Sequence, residues 1–214
     1  MNASALPYWL SLLVAVGGAY GVWRVWQAER TPTAVVEYVG TSAEVAEQEP
    51  LARFELPERS GGMFKSNDMR GKVWVASYFF TACPGSCLKL NQALASLQQE
   101  EGLEEVKFVS ITCDPQNDSL EQLAEYADRF EADPQRWFFC RGQMDYVQRV
   151  GTDILKIAVQ RQMHTDHAVV IGRDGKVINR FKVTDPVALN VMKQVLREAT
   201  QQPASVASAQ GASS

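Results

Sequence analysis

Two cysteines separated by three residues are the part of this chain best suited to chemistry. Cys83 and Cys87 lie in the run FTACPGSC, between a strand-like stretch and a helix-like stretch. Side chains four residues apart project from one face of an opening helical turn, where backbone N–H groups favour a thiolate over a thiol. Such a pair can bind a soft metal ion or cycle between a dithiol and a disulfide.

The spacing of the cysteines narrows the choice of chemistry. Thioredoxin-type oxidoreductases use C-x-x-C, whereas this chain has three residues between its cysteines. A closed structural zinc site needs four ligands, and the sequence has no second close cysteine pair. A short structural disulfide stays open as an alternative, although a proline-containing link at the end of a strand is an unusual place for one. The pattern favours two thiolates joined by a distant ligand.

The chain contains 2 histidines, His164 and His167. Both stand at the entry to a predicted β-hairpin, because Asp174-Gly175 separates two alternating apolar runs. Two thiolates and one imidazole form a soft donor set of low coordination number. Such a set suits copper, with Cu(I) favoured by the sulfurs. The residue types alone do not say which histidine would serve.

Predicted strands and helices alternate around these residues. The strands are 72–80, 105–112 and 136–140, the helices are 86–100, 118–131 and 143–150, and a hairpin at 167–183 precedes a closing helix at 186–199. This order predicts an α/β, thioredoxin-like sandwich with a central β-sheet flanked by helices. Asp118 with Glu121 resembles an N-cap pair for the second helix. Asp114 ends the neighbouring strand and is expected beside the cysteine loop.

Four motifs in this order resemble the Sco/SenC family. They are Gly71-Lys72-Val73-Trp74-Val75, the cysteine motif with Thr81 and Pro84, Ser110 to Pro115 with Asn117-Asp118, and Asp166-His167. The resemblance spans roughly residues 51 to 200. It implies a membrane-anchored, thioredoxin-fold copper chaperone that helps to metallate the CuA centre of cytochrome c oxidase.

The family resemblance also implies roles for individual residues. Cys83, Cys87 and His167 would bind copper, as Cu(I), Cu(II) or both, and Asp114 would be a nearby acidic group that tunes the site. His164 matches no ligand of the family pattern, so we expect a solvated loop residue there. The CuA-bearing oxidase subunit and other copper chaperones are the implied partners.

Some residues depart from the family pattern or lie outside it. Family members often carry an acidic residue and a second proline where this chain has Gly85 and Leu88, so the charge and rigidity of the loop differ. Cys113 and Cys140 are expected to be buried thiols that behave as small hydrophobes. A disulfide between them is the alternative.

A second function would use the same cysteine pair. A membrane-anchored thiol-disulfide oxidoreductase could keep the cysteines of its client reduced, and we expect Cys83 and Cys87 to form a reversible disulfide in metal-free protein. The histidine separates the two functions, because a metal site requires it and a dithiol exchanger does not. A peroxidase of the peroxiredoxin type fits less well, since its attacking thiolate is isolated from the resolving partner.

The N-terminal segment is predicted to anchor the domain in a membrane. Residues 6–26 carry a single charge, Arg24, and would form a helix of about 31 Å, the thickness of a bilayer core. A cleaved signal peptide is an alternative, but a basic n-region and a clear cleavage site are missing. We therefore divide the chain into an anchor at 1–26, a flexible linker at 27–50, a copper-binding domain at 51–200 and a disordered tail at 201–214.

Charge bears on orientation and on partners. Arg24 lies near the end of the apolar stretch, Arg30 follows it and no Lys or Arg precedes it, so the positive-inside rule alone would place the domain in the cytoplasm. The resemblance implies the opposite side, the periplasmic face of the inner membrane, and we give it more weight than two charges. The net charge of −4 provides no basic surface for nucleic acid.

Overall fold

The computed structural model describes residues 50–202. The predicted anchor lies wholly outside this range, as do nearly all of the predicted linker and tail. Within residues 50–202, no helix is long and apolar enough to cross a membrane.

The described residues form nine strands and four α-helices. The strands are β1 Glu55–Pro57, β2 Met63–Lys65, β3 Trp74–Phe79, β4 Lys107–Thr112, β5 Trp137–Cys140, β6 Val159–Gln160, β7 Met163–His164, β8 His167–Ile171 and β9 Val177–Lys182. The helices are α1 Ser86–Gln98, α2 Leu120–Asp128, α3 Met144–Arg149 and α4 Pro186–Gln201, with a 3-10 turn at Ser66–Met69 and a π-helical turn at Val150–Leu155.

Five of these strands build one mixed sheet in the order β5-β4-β3-β8-β9. The strand β3 pairs in parallel with β4 and antiparallel with β8, and the pairs β4–β5 and β8–β9 are parallel and antiparallel respectively. Every residue of β3 is buried, as expected for a central strand covered on both faces. The predicted α/β sandwich with a central sheet is therefore confirmed.

An apolar cluster covers each face of the sheet. On one face, leucines of α1 such as Leu90 and Leu94 pack with residues of α2 and α4. On the other face, residues of the β1–β2 segment and of α3, among them Leu56 and Val147, pack against Tyr78. Because successive strand residues point to opposite faces, Tyr78 and Phe79 belong to different clusters.

The carboxyl end of β3 positions the cysteine loop. Phe79 pairs with Thr112 at the parallel ends of β3 and β4, so the loops after these strands leave the same edge of the sheet side by side. The strand β8 begins at this edge as well, since Ala168 pairs with Ser77. The residues predicted to do chemistry therefore collect at one edge.

Three local structures differ from the sequence expectations. The β1–β2 and β6–β7 hairpins were not predicted, because strands of two or three residues are too short to show an alternating pattern. The N-cap of α2 is Ser119, which forms a capping box with Gln122. The expectation that Asp118 caps this helix is therefore wrong, because its carboxylate is buried and bonded elsewhere.

Candidate metal centre

The first turn of α1 holds the two cysteines in different environments. Cys87 is fully buried, whereas Cys83 is partly exposed. The N-cap of the helix is Gly85, which has no side chain with which to cap it. The Cys83 sulfur accepts a hydrogen bond from the Cys87 backbone N–H at 3.5 Å and lies 3.7 Å from Ser86 Oγ. Cys83 thus satisfies a backbone donor that the helix leaves free.

The two thiols differ in acidity. Burial acts to raise the pKa of Cys83, but hydrogen bonds from the Cys87 thiol and from the backbone of Gly85 and Cys87 outweigh it, so this pKa lies below its ordinary value. For Cys87, burial and then the Cys83 sulfur raise the pKa well above its ordinary value. Since the thiolate is the reactive form, Cys83 is the nucleophilic and readily metallated member of the pair.

His164 reaches the cysteine pair from the β6–β7 hairpin. Its Nε2 lies 2.7 Å from Cys87 Sγ, and its ring packs edge-on against Phe80 at 6.0 Å between centroids. Its Nδ1 lies 2.7 Å from the Thr165 carbonyl oxygen. Because a carbonyl oxygen only accepts, Nδ1 must carry a hydrogen, and in the neutral ring Nε2 then holds a lone pair that faces the Cys87 thiol.

The protonation of His164 favours a ligand role. Burial lowers its pKa, opposed by the Thr165 carbonyl and the Asp166 carboxylate. A lowered pKa keeps the ring neutral at neutral pH, and a neutral imidazole is the form that binds metals. The expectation that His164 is a solvated loop residue is therefore wrong, because the β6–β7 pairing folds its side chain onto the cysteine loop.

His167 occupies a different position. It begins β8, and its Nδ1 lies 3.6 Å from Asp166 Oδ1 without a hydrogen-bond partner. The next residue, Ala168, packs in the same apolar cluster as Cys87, so strand alternation directs His167 toward the opposite face of the sheet. Within residues 50–202 its side chain contacts Asp166 and not a cysteine. His167 as a ligand stays a prediction from the family resemblance.

Asp114 lies beneath the hairpin that carries His164. This carboxylate is buried and accepts hydrogen bonds from Asn117 Nδ2 at 2.8 Å, Arg161 Nε at 3.2 Å and Gln162 Nε2 at 2.8 Å. Burial acts to raise its pKa, but the hydrogen bonds from Gln162, Asn117 and Arg161 hold the pKa below its ordinary value. Asp114 thus stays ionised and ties the end of β4 to the tip of the hairpin.

Asp118 joins the cysteine loop to the end of β4. Its buried carboxylate accepts from the Thr81 backbone N–H at 3.2 Å and from the hydroxyls of Thr81 and Thr112. The sequence reasoning missed this role. The available signal was a threonine near the end of each of two strands, Thr81 and Thr112, because the hydroxyl of such a residue needs a hydrogen-bond partner.

Cys113 and Cys140 are both buried and unpaired, as expected. Burial raises the pKa of Cys113 to about 12 and raises the pKa of Cys140 well above its ordinary value. Thiols with such pKa values are poor nucleophiles at neutral pH. These two cysteines therefore belong to the core.

The three possible metal ligands Cys83, Cys87 and His164 contact one another only in pairs that include Cys87. Cys87 contacts Cys83 on one side and His164 on the other, but within residues 50–202 no three His, Cys, Asp or Glu side chains form a ready-made metal-binding group. The donor types fit copper, because two sulfurs and one neutral imidazole are soft or intermediate ligands. Metal binding at this place would require the side chains to adjust around Cys87.

Comparison with known proteins decides the family. The model of the family described as SCO1/SenC matches residues 42–201. The chain belongs to the SCO1/SenC family.

Solved structures of Sco proteins share its fold. A SCO1/SenC family lipoprotein from Bacillus anthracis is 25% identical, with a TM-score of 0.66 over 71% of this chain and 95% of that one. The structure of BsSco, described as having a disulfide switch and as a member of a family of cytochrome c oxidase assembly proteins, is 22% identical with a TM-score of 0.65, covering 72% and 95%. ScoI of Bradyrhizobium japonicum with copper bound is 16% identical with a TM-score of 0.59, covering 71% and 99%.

Proposed function

We propose that this SCO1/SenC protein is a copper metallochaperone whose ion is bound by Cys83, Cys87 and one histidine. The observation that carries the proposal is the contact between a lone-pair nitrogen of His164 and the Cys87 sulfur, next to a second sulfur with a lowered pKa. This donor set is selective for copper over hard cations such as Mg²⁺. The copper bound to a related ScoI of the same fold agrees with it.

His164 is the imidazole that the geometry favours. Its Nδ1 is engaged by a carbonyl, which fixes the ring and directs Nε2 at the sulfur. His167, the residue named by the family resemblance, is the alternative ligand and would have to leave Asp166 to reach the cysteines. Asp114 tunes the site without touching the metal, because it holds the hairpin on which His164 stands.

A thiol-disulfide oxidoreductase is the second candidate function, and the unequal thiols favour it. Cys83 has the lowered pKa and partial exposure of an attacking thiol, while Cys87 has the burial of a resolving thiol. The disulfide switch described for BsSco supports this use of the pair. In reducing a client disulfide, the metal-free Cys83–Cys87 dithiol would itself become a disulfide, and its two electrons and two protons would pass to the two cysteines of the client. No thiolate would then remain for copper, so metal release and oxidation would be linked.

The proposed client and location rest on the relatives and on the sequence. BsSco is a member of a family of cytochrome c oxidase assembly proteins, which supports a role in that assembly, and we propose the CuA-bearing subunit as the client. We further propose that residues 1–26 anchor the chain with the copper-binding domain on the periplasmic side. A reporter fused after Ser214 that is active only in the cytoplasm would contradict this orientation.

Anaerobic Cu(I) titration of the reduced full chain tests the function. We expect one tightly bound ion per chain, and Cys83→Ser or Cys87→Ser should abolish tight binding because each removes a thiolate. Cys140→Ser is the matched control, since its thiol is buried in the core, and it should retain the copper. Stoichiometric tight binding after both site substitutions would rule out Cys83 and Cys87 as the copper site.

A further inference from the structure

We propose that Asn91 is a positioning residue that directs the Tyr126 hydroxyl at the cysteine pair and thereby stabilises negative charge on the sulfurs. Asn91 stands on α1 one helical turn after Cys87, and Tyr126 stands on α2. The inference deepens the proposed function, because it rests on Cys83 and Cys87 as the working thiols, but it depends on neither histidine.

A buried amide is an unusual side chain for this position. The buried face of α1 includes Leu90, Leu94 and Leu97, and Asn91 on the same face has no exposed surface. Its Oδ1 is buried without a hydrogen-bond partner among the described residues. An unsatisfied buried acceptor destabilises the fold, and leucine at this position would avoid that loss. Such an exception in a native structure therefore calls for a functional explanation.

The amide nitrogen of Asn91 makes two hydrogen bonds. Nδ2 donates to the Cys87 carbonyl oxygen at 2.9 Å and to the Tyr126 hydroxyl oxygen at 3.3 Å. The carbonyl fixes which end of the amide faces this way, because a carbonyl oxygen only accepts. The Tyr126 oxygen is therefore an acceptor toward Asn91, and its own hydrogen points elsewhere.

The cysteine pair is the negative charge that this hydrogen can face. The Tyr126 hydroxyl donates to no atom within residues 50–202, and its ring is held by stacking on Phe79 at 5.1 Å between centroids. Burial raises the pKa of Tyr126 to about 12, and although the bond from Asn91 opposes this, thiolate charge at Cys87 and Cys83 adds to the rise. The hydroxyl thus lies within electrostatic reach of both sulfurs, and turning its hydrogen toward them stabilises a thiolate.

Two variants remove the two parts of this arrangement. Asn91→Leu keeps the size of the side chain and removes the unsatisfied Oδ1, so the midpoint of urea unfolding should not fall. Asn91→Ala gives the same loss of the amide without a risk of overpacking. Tyr126→Phe keeps the stacked ring and removes the hydroxyl. Tyr146→Phe is the matched control, because its hydroxyl accepts from the Glu55 N–H at 3.3 Å on the other face of the sheet.

The first readout is the reduction potential of the Cys83–Cys87 pair in the metal-free full chain, measured by equilibration with reduced and oxidised glutathione. The dithiol form carries the thiolate and the disulfide is neutral, so loss of the donor favours the disulfide. In Asn91→Leu and Tyr126→Phe the equilibrium constant for oxidation should rise about tenfold, which lowers the potential by about 30 mV. The double variant should shift no further than either single variant, because the two residues act as one unit.

The second readout is the rate at which iodoacetamide labels Cys83, measured below the pH at which this rate levels off. The rate should fall about threefold in Asn91→Leu, because the smaller thiolate fraction is partly offset by the higher intrinsic nucleophilicity of the thiolate. Tyr126→Phe should show the same fall, and Tyr146→Phe should match wild type.

A potential or a labelling rate that is unchanged in Asn91→Leu and in Asn91→Ala would overturn the inference. So would single-variant shifts that add in the double variant, or an equal shift in Tyr146→Phe. Failure of wild-type protein to form the Cys83–Cys87 disulfide would refute the oxidoreductase instead. In that event the labelling rates alone still decide whether Asn91 acts on the thiols through Tyr126.

Discussion

Removing the Asp118 carboxylate should destabilise the domain and loosen the cysteine loop. Asp118→Ala deletes the buried acceptor of the Thr81 N–H and of the hydroxyls of Thr81 and Thr112. The Asp118 carboxylate and the Thr112 hydroxyl are both buried, so water cannot easily replace the acceptor there, whereas Thr81 is only half-buried.

The expected loss follows from the number and type of these bonds. A hydrogen bond to a charged group is worth about 1.5–3 kcal/mol, and an unsatisfied buried donor costs about 1–3 kcal/mol. Removing the carboxylate also recovers part of the cost of burying it, so the three bonds do not simply add. We expect a net loss of about 3–5 kcal/mol, which corresponds to about two hydrogen bonds to a charged group.

The assay is equilibrium unfolding of the full chain by urea, with the thermal midpoint as a second measure. For a domain of this size the midpoint should fall by roughly 6–20 °C. Asp128→Ala, which removes an exposed carboxylate from the end of α2, is the control and should change stability by less than about 0.5 kcal/mol. A loss for Asp118→Ala that is no larger than the control would refute the argument that Asp118 holds the two loops together.

Two further predictions concern the thiols and the hairpin. Iodoacetamide should label Cys83 long before Cys87, because the lowered pKa of Cys83 makes more of it thiolate. For the same reason the labelling rate of Cys83 should level off at a lower pH than the rate of an ordinary exposed thiol. Peptide mass spectrometry that finds Cys87 labelled first would contradict this prediction. Gly151→Ala should lower the free energy of unfolding by about 1–3 kcal/mol, because the new Cβ would lie 2.4 Å from Val159 Cγ1 at the base of the β6–β7 hairpin. In the control Gly62→Ala, the new Cβ meets no atom closer than 3.6 Å. Equal urea midpoints for the two variants would contradict this prediction.

The sequence was sufficient for the main architecture. The apolar run at 72–80 and the leucine repeat of 86–100 were strong periodic signals, and both became elements within two residues of their predicted ends. The Asp174-Gly175 turn likewise located the β8–β9 hairpin. These elements depend on local pattern and on burial of whole faces, which the sequence carries directly.

The histidine could not be assigned in this way. His164 reaches Cys87 because the short strands β6 and β7 pair and because Gln162, between them, donates a hydrogen bond to Asp114. Neither contact produces a periodic pattern in the sequence. Asp118 was wrongly predicted to be the N-cap of α2 for a related reason. Its neighbour Ser119 is an equally good N-cap, and the choice between them was decided by hydrogen bonds from Thr112 and from Thr81, which is 37 residues away in sequence.

The Cu(I) affinities of wild type, His164→Ala and His167→Ala test the central claim most directly. They are measured on the reduced full chain by competition with a chromophoric chelator. Because Nε2 of His164 faces the Cys87 sulfur, His164→Ala should lose more than the roughly 10–100-fold that removal of an orienting partner costs, while His167→Ala should stay close to wild type. Equal losses, or a larger loss for His167→Ala, would contradict the account and return the ligand role to His167.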